Sequence, residues 1–285
     1  MKKGYRRFTG TRLIALPVCL LLLVHHAFCA DSTAYQQHTY VYKNAGSNEL
    51  KLDVFSPVAA GKSRPVIILF HGGSWVSGQK DQLYWQCKYF VQQGMVAITA
   101  DYRLISQDTT RKDICIMDAK SAIRWVKSHA ALLNIDSGMV ITGGASAGGH
   151  LATMTVLNPG LHDASDDTTV STSARALVLF NPAYSLLENP AVEPFNFVSA
   201  HLPPVIMFFG SRDKWKPPAD SLYTLLKKAG VPCERWIANG ETHGFFNKSP
   251  WNLATCIKAQ DFLVQHGLIK NVSSLPVPAD LQRVF

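Results

Sequence analysis

The protein has 285 residues, of which 47% are hydrophobic, 17% charged and 10% aromatic. This composition excludes a disordered or fibrous protein, and no internal repeat indicates a solenoid or a propeller. The formal net charge of +8 would, taken alone, point to nucleic acid or an anionic membrane as a partner.

The N-terminal residues 1–29 have the organisation of a secretory signal peptide. Five basic residues and no acidic residue lie in residues 1–12, and the apolar run LIALPVCLLLLV follows at residues 13–24. A helix of that length would extend about 18 Å, against a bilayer core of roughly 30 Å, so a membrane anchor is the weaker interpretation. Cleavage after Cys29 fits the small-residue rule best, and cleavage after Ala30 stays open.

Cleavage would change the meaning of the charge. The signal peptide holds five of the 28 basic residues and none of the 20 acidic residues, which leaves a formal charge of +3. We therefore expect an exported protein with no nucleic-acid partner and no membrane span in its mature form.

Four of the six cysteines would remain after cleavage, and they are Cys87, Cys115, Cys233 and Cys256. None has the spacing of a zinc site. An exported protein permits disulfides, and four cysteines allow three pairings. Buried free thiols are an equally good interpretation.

Short apolar strands alternate with helices along the rest of the chain. The predicted strands are residues 39–42, 50–55, 66–70, 96–100, 139–142, 176–180, 205–210 and 233–237. The predicted helices are residues 81–93, 112–129, 147–157, 221–229 and 253–266. The first two strands have no helix between them and predict an antiparallel edge hairpin. The alternation predicts an α/β fold with a mostly parallel central sheet and helices on both faces.

Three segments interrupt this pattern. Residues 158–173 are rich in Asp, Ser and Thr and are predicted to form a surface loop. Residues 181–204 are long for a connection, which favours a small cap over a pocket, with a surface decoration as the alternative. Residues 271–285 have no clear period and receive no assignment. We expect one catalytic domain over residues 30–285.

A glycine-rich turn joins the strand at residues 139–142 to the helix that begins at residue 147. Residues 144–148 match G-x-S-x-G, with Ser146 at the centre. A serine on a strained strand-to-helix turn needs small neighbours, because larger side chains would clash across the turn. A phosphate-binding loop is the alternative, but its Lys-Ser/Thr pair is missing. The pattern predicts Ser146 as a nucleophile.

A second glycine motif, His71-Gly72-Gly73-Ser74, follows the strand at residues 66–70. Adjacent glycines let the backbone direct N–H groups at the oxyanion of a tetrahedral intermediate. We expect the amides of Gly73, Ser74 and Ala147 to act as these donors. A plain turn is the alternative, which the nearby serine motif disfavours.

An acid and a histidine complete the predicted site. Asp213 follows the strand at residues 205–210, and His243 lies in a loop before the last helix. The order Ser146, Asp213, His243 is the one expected when each follows a separate strand of this fold class. His243 would carry the proton of the serine, and Asp213 would orient the imidazole. Asp220 and Glu241 are the rival acids.

These motifs resemble the α/β-hydrolases of the hormone-sensitive-lipase-like and bifunctional acetyl/feruloyl esterase type, over about residues 50–266. The resemblance rests on His71-Gly72-Gly73, Asp101-Tyr102-Arg103-Leu104, Asp118-Ala119-Lys120, the Ser146 turn, Asp213 and His243-Gly244-Phe245. It implies an α/β-hydrolase fold, a Ser–Asp–His triad, no metal and no cofactor. Ser74 departs from the pattern, since the family often has a third glycine there.

The resemblance favours a secreted serine esterase that removes acetyl or feruloyl groups from polysaccharides or other short acyl esters. Trp75, Tyr184 and Trp215 are the expected substrate-binding residues, because aromatic rings stack on sugars and on feruloyl groups. Core packing is the alternative for each ring. A short-chain lipase or general carboxylesterase, and a non-catalytic binding protein of the same fold, are the competing hypotheses.

Overall fold

The structure is a computed structural model that describes residues 1, 34–58, 63–105, 111–187, 189–270 and 281–284. The predicted signal peptide lies outside the described residues apart from Met1. The described chain from residue 34 onward belongs to one compact unit, Ser32–Phe285. No helix among these residues is long and apolar enough to cross a membrane.

The described residues contribute nine strands to one sheet. They are β1 Tyr35–Ala45, β2 Asn48–Pro57, β3 Arg64–Phe70, β4 Val96–Ala100, β5 Ile135–Ala145, β6 Ala176–Phe180, β7 Val205–Gly210, β8 Cys233–Ala238 and β9 Leu281–Val284. Their order is β1-β2-β4-β3-β5-β6-β7-β8-β9. The six strands from β4 to β8 in this order run parallel, and β1, β2 and β9 pair antiparallel at the two sides. The predicted sheet and its edge hairpin are confirmed.

Helices cover both faces of the sheet. They are α1 Tyr84–Gln92, α2 Lys112–Ser128, α3 Ala130–Leu133, α4 Ala147–Leu157, α5 Lys216–Lys228 and α6 Trp251–Gln265. The residues of β3 alternate between two apolar cores: Ile68 packs with the core that includes α2, α4 and α5, and Ile67 with the core that includes α1 and α6. Burial on both faces explains why the central strands are continuous apolar runs rather than alternating ones.

Some boundaries differ from the prediction. Helix α5 begins at Lys216, five residues before the predicted start, because Pro217 and Pro218 occupy its first turn, where a missing N–H costs nothing. Residues 281–284 of the unassigned tail form β9 against β8. The four cysteines after the signal peptide are all buried free thiols, as one of the two interpretations expected.

The two long connections, residues 158–173 and 181–204, differ in secondary structure. The loop at residues 158–173 has no helix or strand, as predicted, and its Asp166 anchors it to Arg124 of α2 with a 2.5 Å ion pair. The segment 181–204 contains two short 3₁₀ helices, Pro190–Val192 and Pro194–Phe197. These pack beside α2, α4 and α5.

Candidate active site

The C-terminal ends of the parallel strands bring the predicted residues to one edge of the sheet. His71 follows β3, Ser146 follows β5, and the loops after β7 and β8 carry Asp213 and His243. Open α/β sheets form their ligand sites at this edge, because the loops that connect strands to helices converge there.

Ser146 stands on a strained turn between β5 and α4. Its φ of 52° and ψ of −117° lie outside the regions that most residues adopt. The two flanking glycines are required by space: a Cβ on Gly148 would lie 1.9 Å from the carbonyl oxygen of Phe70, and one on Gly144 would lie 2.5 Å from it. This close packing forces Ser146 to project from the end of the strand.

A continuous hydrogen-bond relay joins the three predicted catalytic side chains. Ser146 Oγ lies 2.8 Å from His243 Nε2, and His243 Nδ1 lies 2.8 Å from Asp213 Oδ2 and 3.0 Å from Oδ1. The Asp213 side chain is fully buried, and the N–H of Trp215 donates to its Oδ1 at 2.9 Å. The buried carboxylate therefore fixes Nδ1 as the protonated nitrogen and leaves Nε2 as the acceptor for the serine proton.

The rival acids lie elsewhere. Asp220 is within α5 and pairs with Lys216 and Arg235, each at 2.6 Å. Glu241 contributes its backbone carbonyl oxygen to the N–H of Arg212. Asp213 is therefore the acid that the structure brings to His243.

The loop after β3 carries two of the three expected oxyanion donors. In the described chain, the amides of Gly73, Ser74 and Ala147 donate to no other group. Ser74 and Trp75 both have left-handed φ values, 53° and 64°, although neither is glycine. Strain of this kind persists only where the surroundings enforce it, and it is common at functional sites.

Three further residues that the motifs did not single out for this site hold it together. Gln82 Oε1 accepts the N–H of Gly72 at 2.6 Å, and the Tyr102 hydroxyl donates to the carbonyl oxygen of His71 at 3.0 Å. The Asn181 amide nitrogen lies 3.3 Å from His243 Nε2. Burial lowers the pKa of His71, and its ring stacks on that of Tyr102 and supports the loop.

Ser146 and His243 line a cavity of about 270 Å³. Its lining consists of Gly72, Gly73, Ser74, Gln82, Ala145, Ser146, Asn181, Lys214, Trp215, His243, Gly244, Phe246 and Asn247. Trp215 is the one predicted substrate-binding residue that the structure places at this cavity. Of the segment 181–204, only Asn181 reaches it, so the predicted cap contributes a single lining residue among those described.

The prediction that Trp75 and Tyr184 bind substrate is wrong, because neither residue lines the cavity. Trp75 is buried between the ammonium of Lys112, 3.8 Å from its ring centroid, and the ring of His150. Tyr184 is fully buried and shares a 2.7 Å hydrogen bond with Thr153 of α4. Both rings serve the core, which was the alternative interpretation for each.

This arrangement can perform acyl transfer. A serine oxygen that loses its proton to a neighbouring imidazole can attack a carbonyl carbon, and nearby free amides can stabilise the resulting oxyanion. No cluster of three or more metal-ligating side chains occurs among the described residues.

Comparisons with known proteins agree with this geometry. The BD-FAE family model matches residues 52–180. Esterase LipQ of Mycobacterium tuberculosis is 26% identical over 71% of this chain. The chain spans 55% of the length of LipQ.

The similarity to solved structures covers more of both chains. Thermogutta terrifontis esterase 2 phosphorylated by paraoxon is 38% identical, with a TM-score of 0.78, and the match covers 83% of this chain and 96% of that one. The propionate-bound form of the same esterase is 36% identical, with a TM-score of 0.77 and coverage of 83% and 96%. The chain therefore belongs to the family of α/β-hydrolase-fold serine esterases that includes Thermogutta terrifontis esterase 2.

Proposed function

We propose that this protein is an exported serine carboxylesterase that removes short acyl groups, acetyl foremost, from a polysaccharide or another alcohol. The observation that carries the proposal is the relay from Ser146 through His243 to Asp213, which faces a small cavity beside three free amides. Such a relay is the machinery of ester hydrolysis through an acyl-serine.

The reaction has two halves. His243 Nε2 takes the proton of Ser146 while Oγ attacks the ester carbonyl, and the amides of Gly73, Ser74 and Ala147 stabilise the oxyanion. Collapse of this intermediate breaks the bond to the alcohol oxygen, which receives the proton from Nε2. Water then repeats the sequence on the acyl-serine and releases the acid. Asp213 stabilises the imidazolium in both halves.

The cavity and a solved relative are both consistent with short acyl groups. A cavity of about 270 Å³ holds an acetyl, propionyl or butyryl group. The esterase of Thermogutta terrifontis has been solved with propionate bound, which is the acid product of a short acyl ester.

Replacement of Ser146 tests the nucleophile. We expect the purified protein to hydrolyse p-nitrophenyl acetate and Ser146→Ala to lose about 10⁴-fold or more in kcat, because the covalent step disappears. The exposed Ser128 at the end of α2 provides the matched control, and Ser128→Ala should retain full turnover. Equal turnover by Ser146→Ala would contradict the proposal.

The acyl group is tested on natural substrates. Release of acetate and of ferulate would be compared on acetylated and feruloylated xylan, and we expect acetate to be released faster. Faster release of ferulate would identify a feruloyl esterase and overturn the preference for acetyl.

Export is the remaining part of the proposal. The basic residues 1–12 and the apolar run at residues 13–24 support a cleavable signal peptide. N-terminal sequencing of the protein recovered outside the cytoplasm should begin at Ala30, or at Asp31 for the alternative cleavage. A protein that retains Met1 would contradict export by cleavage.

A further inference from the structure

Asn181 occupies the junction between β6 and the segment that follows it. Its side chain is fully buried, its φ is +39°, and its N–H donates to the carbonyl oxygen of Phe208 at 2.8 Å. A buried non-glycine residue with a positive φ is strained, and such strain is tolerated when the side chain must occupy a fixed place. That place is the wall of the catalytic cavity.

The orientation of the Asn181 amide is determined by its neighbours. The N–H of Gly244 donates to Asn181 Oδ1 at 3.3 Å, which requires an acceptor at that position. The reversed amide would place its NH₂ group against this N–H. Nδ2 therefore faces His243 Nε2, at 3.3 Å.

His243 Nε2 cannot satisfy both of its neighbours. Its neutral ring has one lone pair on Nε2, and the Ser146 hydroxyl, at 2.8 Å, is closer than the Asn181 amide. Once the serine proton has moved to Nε2, this nitrogen becomes a donor as well. Asn181 Nδ2 and protonated His243 Nε2 are then two donors 3.3 Å apart at the cavity wall, and an oxygen atom that approaches both can accept from each.

We propose that this oxygen is the leaving-group oxygen of the ester during acylation and the hydrolytic water during deacylation, so that Asn181 is a catalytic residue. This inference rests on the proposed esterase function. In collapse of the tetrahedral intermediate, the bond from carbon to the alcohol oxygen breaks, the proton on Nε2 moves to that oxygen, and Asn181 donates to it while its negative charge develops. In deacylation, the water oxygen accepts from Asn181 and gives its proton to Nε2 as it attacks the acyl carbon.

If Asn181 donates to the leaving-group oxygen, the effect of its loss should depend on how basic the leaving group is, which a purely structural role would not predict. Ethoxide is a poor leaving group and depends on protonation and hydrogen bonding, whereas p-nitrophenolate departs without either. Loss of the Asn181 donor should therefore harm alkyl esters more than activated aryl esters. A residue that only shaped the cavity would harm acetates of both alcohols to the same extent.

The test compares ethyl acetate with p-nitrophenyl acetate as substrates of Asn181→Gly. Glycine removes the amide and adopts the positive φ without strain. We expect kcat/KM for ethyl acetate to fall about thirtyfold further than kcat/KM for p-nitrophenyl acetate, as for loss of one hydrogen bond to a charged oxygen. Asn134→Gly is the matched control, since Asn134 also has a positive φ but lies before β5, at the opposite end of the sheet. Its substrate ratio should equal that of the wild type.

A second variant keeps the acceptor and removes the donor. Asn181→Asp can still accept from the N–H of Gly244, but it presents a carboxylate to the imidazole. We expect the same loss on ethyl acetate, together with a shift of the acidic limb of the pH–rate profile to higher pH, because a carboxylate stabilises the protonated ring. An unshifted profile with the wild-type substrate ratio would overturn the assignment.

The outcomes separate this inference from the function on which it rests. If Ser146→Ala abolishes turnover but Asn181→Gly loses equally on both substrates, only the role of Asn181 fails. If turnover does not depend on Ser146, the esterase proposal itself fails. Thermal unfolding of each variant shows whether a loss reflects misfolding, and an unfolded Asn181→Gly leaves Asn181→Asp to decide.

Discussion

At the scale of single residues, the structure distinguishes the catalytic acid from its two rivals. The sequence offers Asp220 and Glu241 as rivals of Asp213, although Asp220 falls in a predicted helix and Glu241 lies only two residues before His243. Burial separates them, since only the Asp213 carboxylate is enclosed beside His243 Nδ1. A buried carboxylate beside Nδ1 holds one imidazole tautomer, whereas the half-buried Asp220 pairs with Lys216 and Arg235 instead.

Replacement of this acid gives a direct prediction. Asp213→Asn preserves size but presents an amide that favours the wrong imidazole tautomer, so we expect kcat to fall about 10⁴-fold. Glu241→Gln is the control and should retain near wild-type kcat, because its side chain is not part of the relay. Steady-state kinetics on p-nitrophenyl acetate measure both. A larger loss in Glu241→Gln than in Asp213→Asn would show that the relay uses the other acid.

Residues that carry a local motif could be found from the sequence, and residues that act across long separations could not. Ser146 and the oxyanion loop are marked by glycines at positions 73, 144 and 148, where a Cβ would lie 2.5 Å or less from a backbone oxygen. Asn181 meets His243 across 62 residues and follows a strand whose end carries no signal of its own. Trp75 is predicted at the cavity because its ring could stack on a sugar or a feruloyl group, but tertiary packing decides where such a ring lies.

At the scale of elements, the segment after β6 is attached to the body by a buried ion pair. Lys112 Nζ of α2 lies 3.2 Å from Glu193 Oε1, and both side chains are almost fully buried. The second carboxylate oxygen of Glu193 accepts the N–H of Ser185 at 2.9 Å. The same ammonium lies over Trp75, which directly follows the oxyanion donor Ser74. The pair therefore connects the segment to the oxyanion loop.

Breaking this pair should cost both stability and turnover. Glu193→Gln leaves the Lys112 ammonium buried beside a neutral amide, so we expect the free energy of unfolding to fall by about 3–5 kcal/mol. A smaller fall in kcat should accompany it through the displaced oxyanion loop. Urea unfolding measures the first effect.

The double variant isolates the charge. Lys112→Met combined with Glu193→Gln removes the ammonium together with the carboxylate that faces it, so it should recover part of the stability that Glu193→Gln loses. The single variant Lys112→Met is measured as well. If the losses in free energy of unfolding of the two single variants simply add in the double variant, the two side chains do not interact.

Three strands that are buried along their whole length coincide with their predicted bounds: Val96–Ala100, Ala176–Phe180 and Val205–Gly210. Burial on both faces favours the mostly apolar runs by which they were recognised. Strand β3 begins two residues before its predicted start, because Arg64 and Pro65 interrupt the apolar pattern. Strand β5 begins four residues before its predicted start. The prediction missed this part because the residues after Ile135 are exposed and polar. Exposed strand residues carry no hydrophobic pattern to recognise.

At the scale of the whole molecule, one buried histidine links stability to pH. His150 of α4 is fully buried, and its Nε2–H donates to the carbonyl oxygen of Val192 at 2.6 Å. Within the described chain its Nδ1 has no hydrogen-bond partner. Burial and the charge of Lys112 lower the pKa of His150 to about 3. The ring therefore stays neutral in the folded protein over the whole physiological range.

The unfolded chain has no such constraint, and its histidine pKa is about 6.5. Between about pH 6.5 and pH 3 the unfolded state binds a proton that the folded state refuses, so stability is complete above this window and falls as the pH falls through it. At pH 4.5 the loss from His150 alone should be about 2–3 kcal/mol. His150→Gln keeps a donor for Val192 but has no titrating group. We expect urea unfolding at pH 7 and pH 4.5 to show a smaller acid loss in this variant by that amount, and an equal loss in both proteins would show that the acid sensitivity has another source.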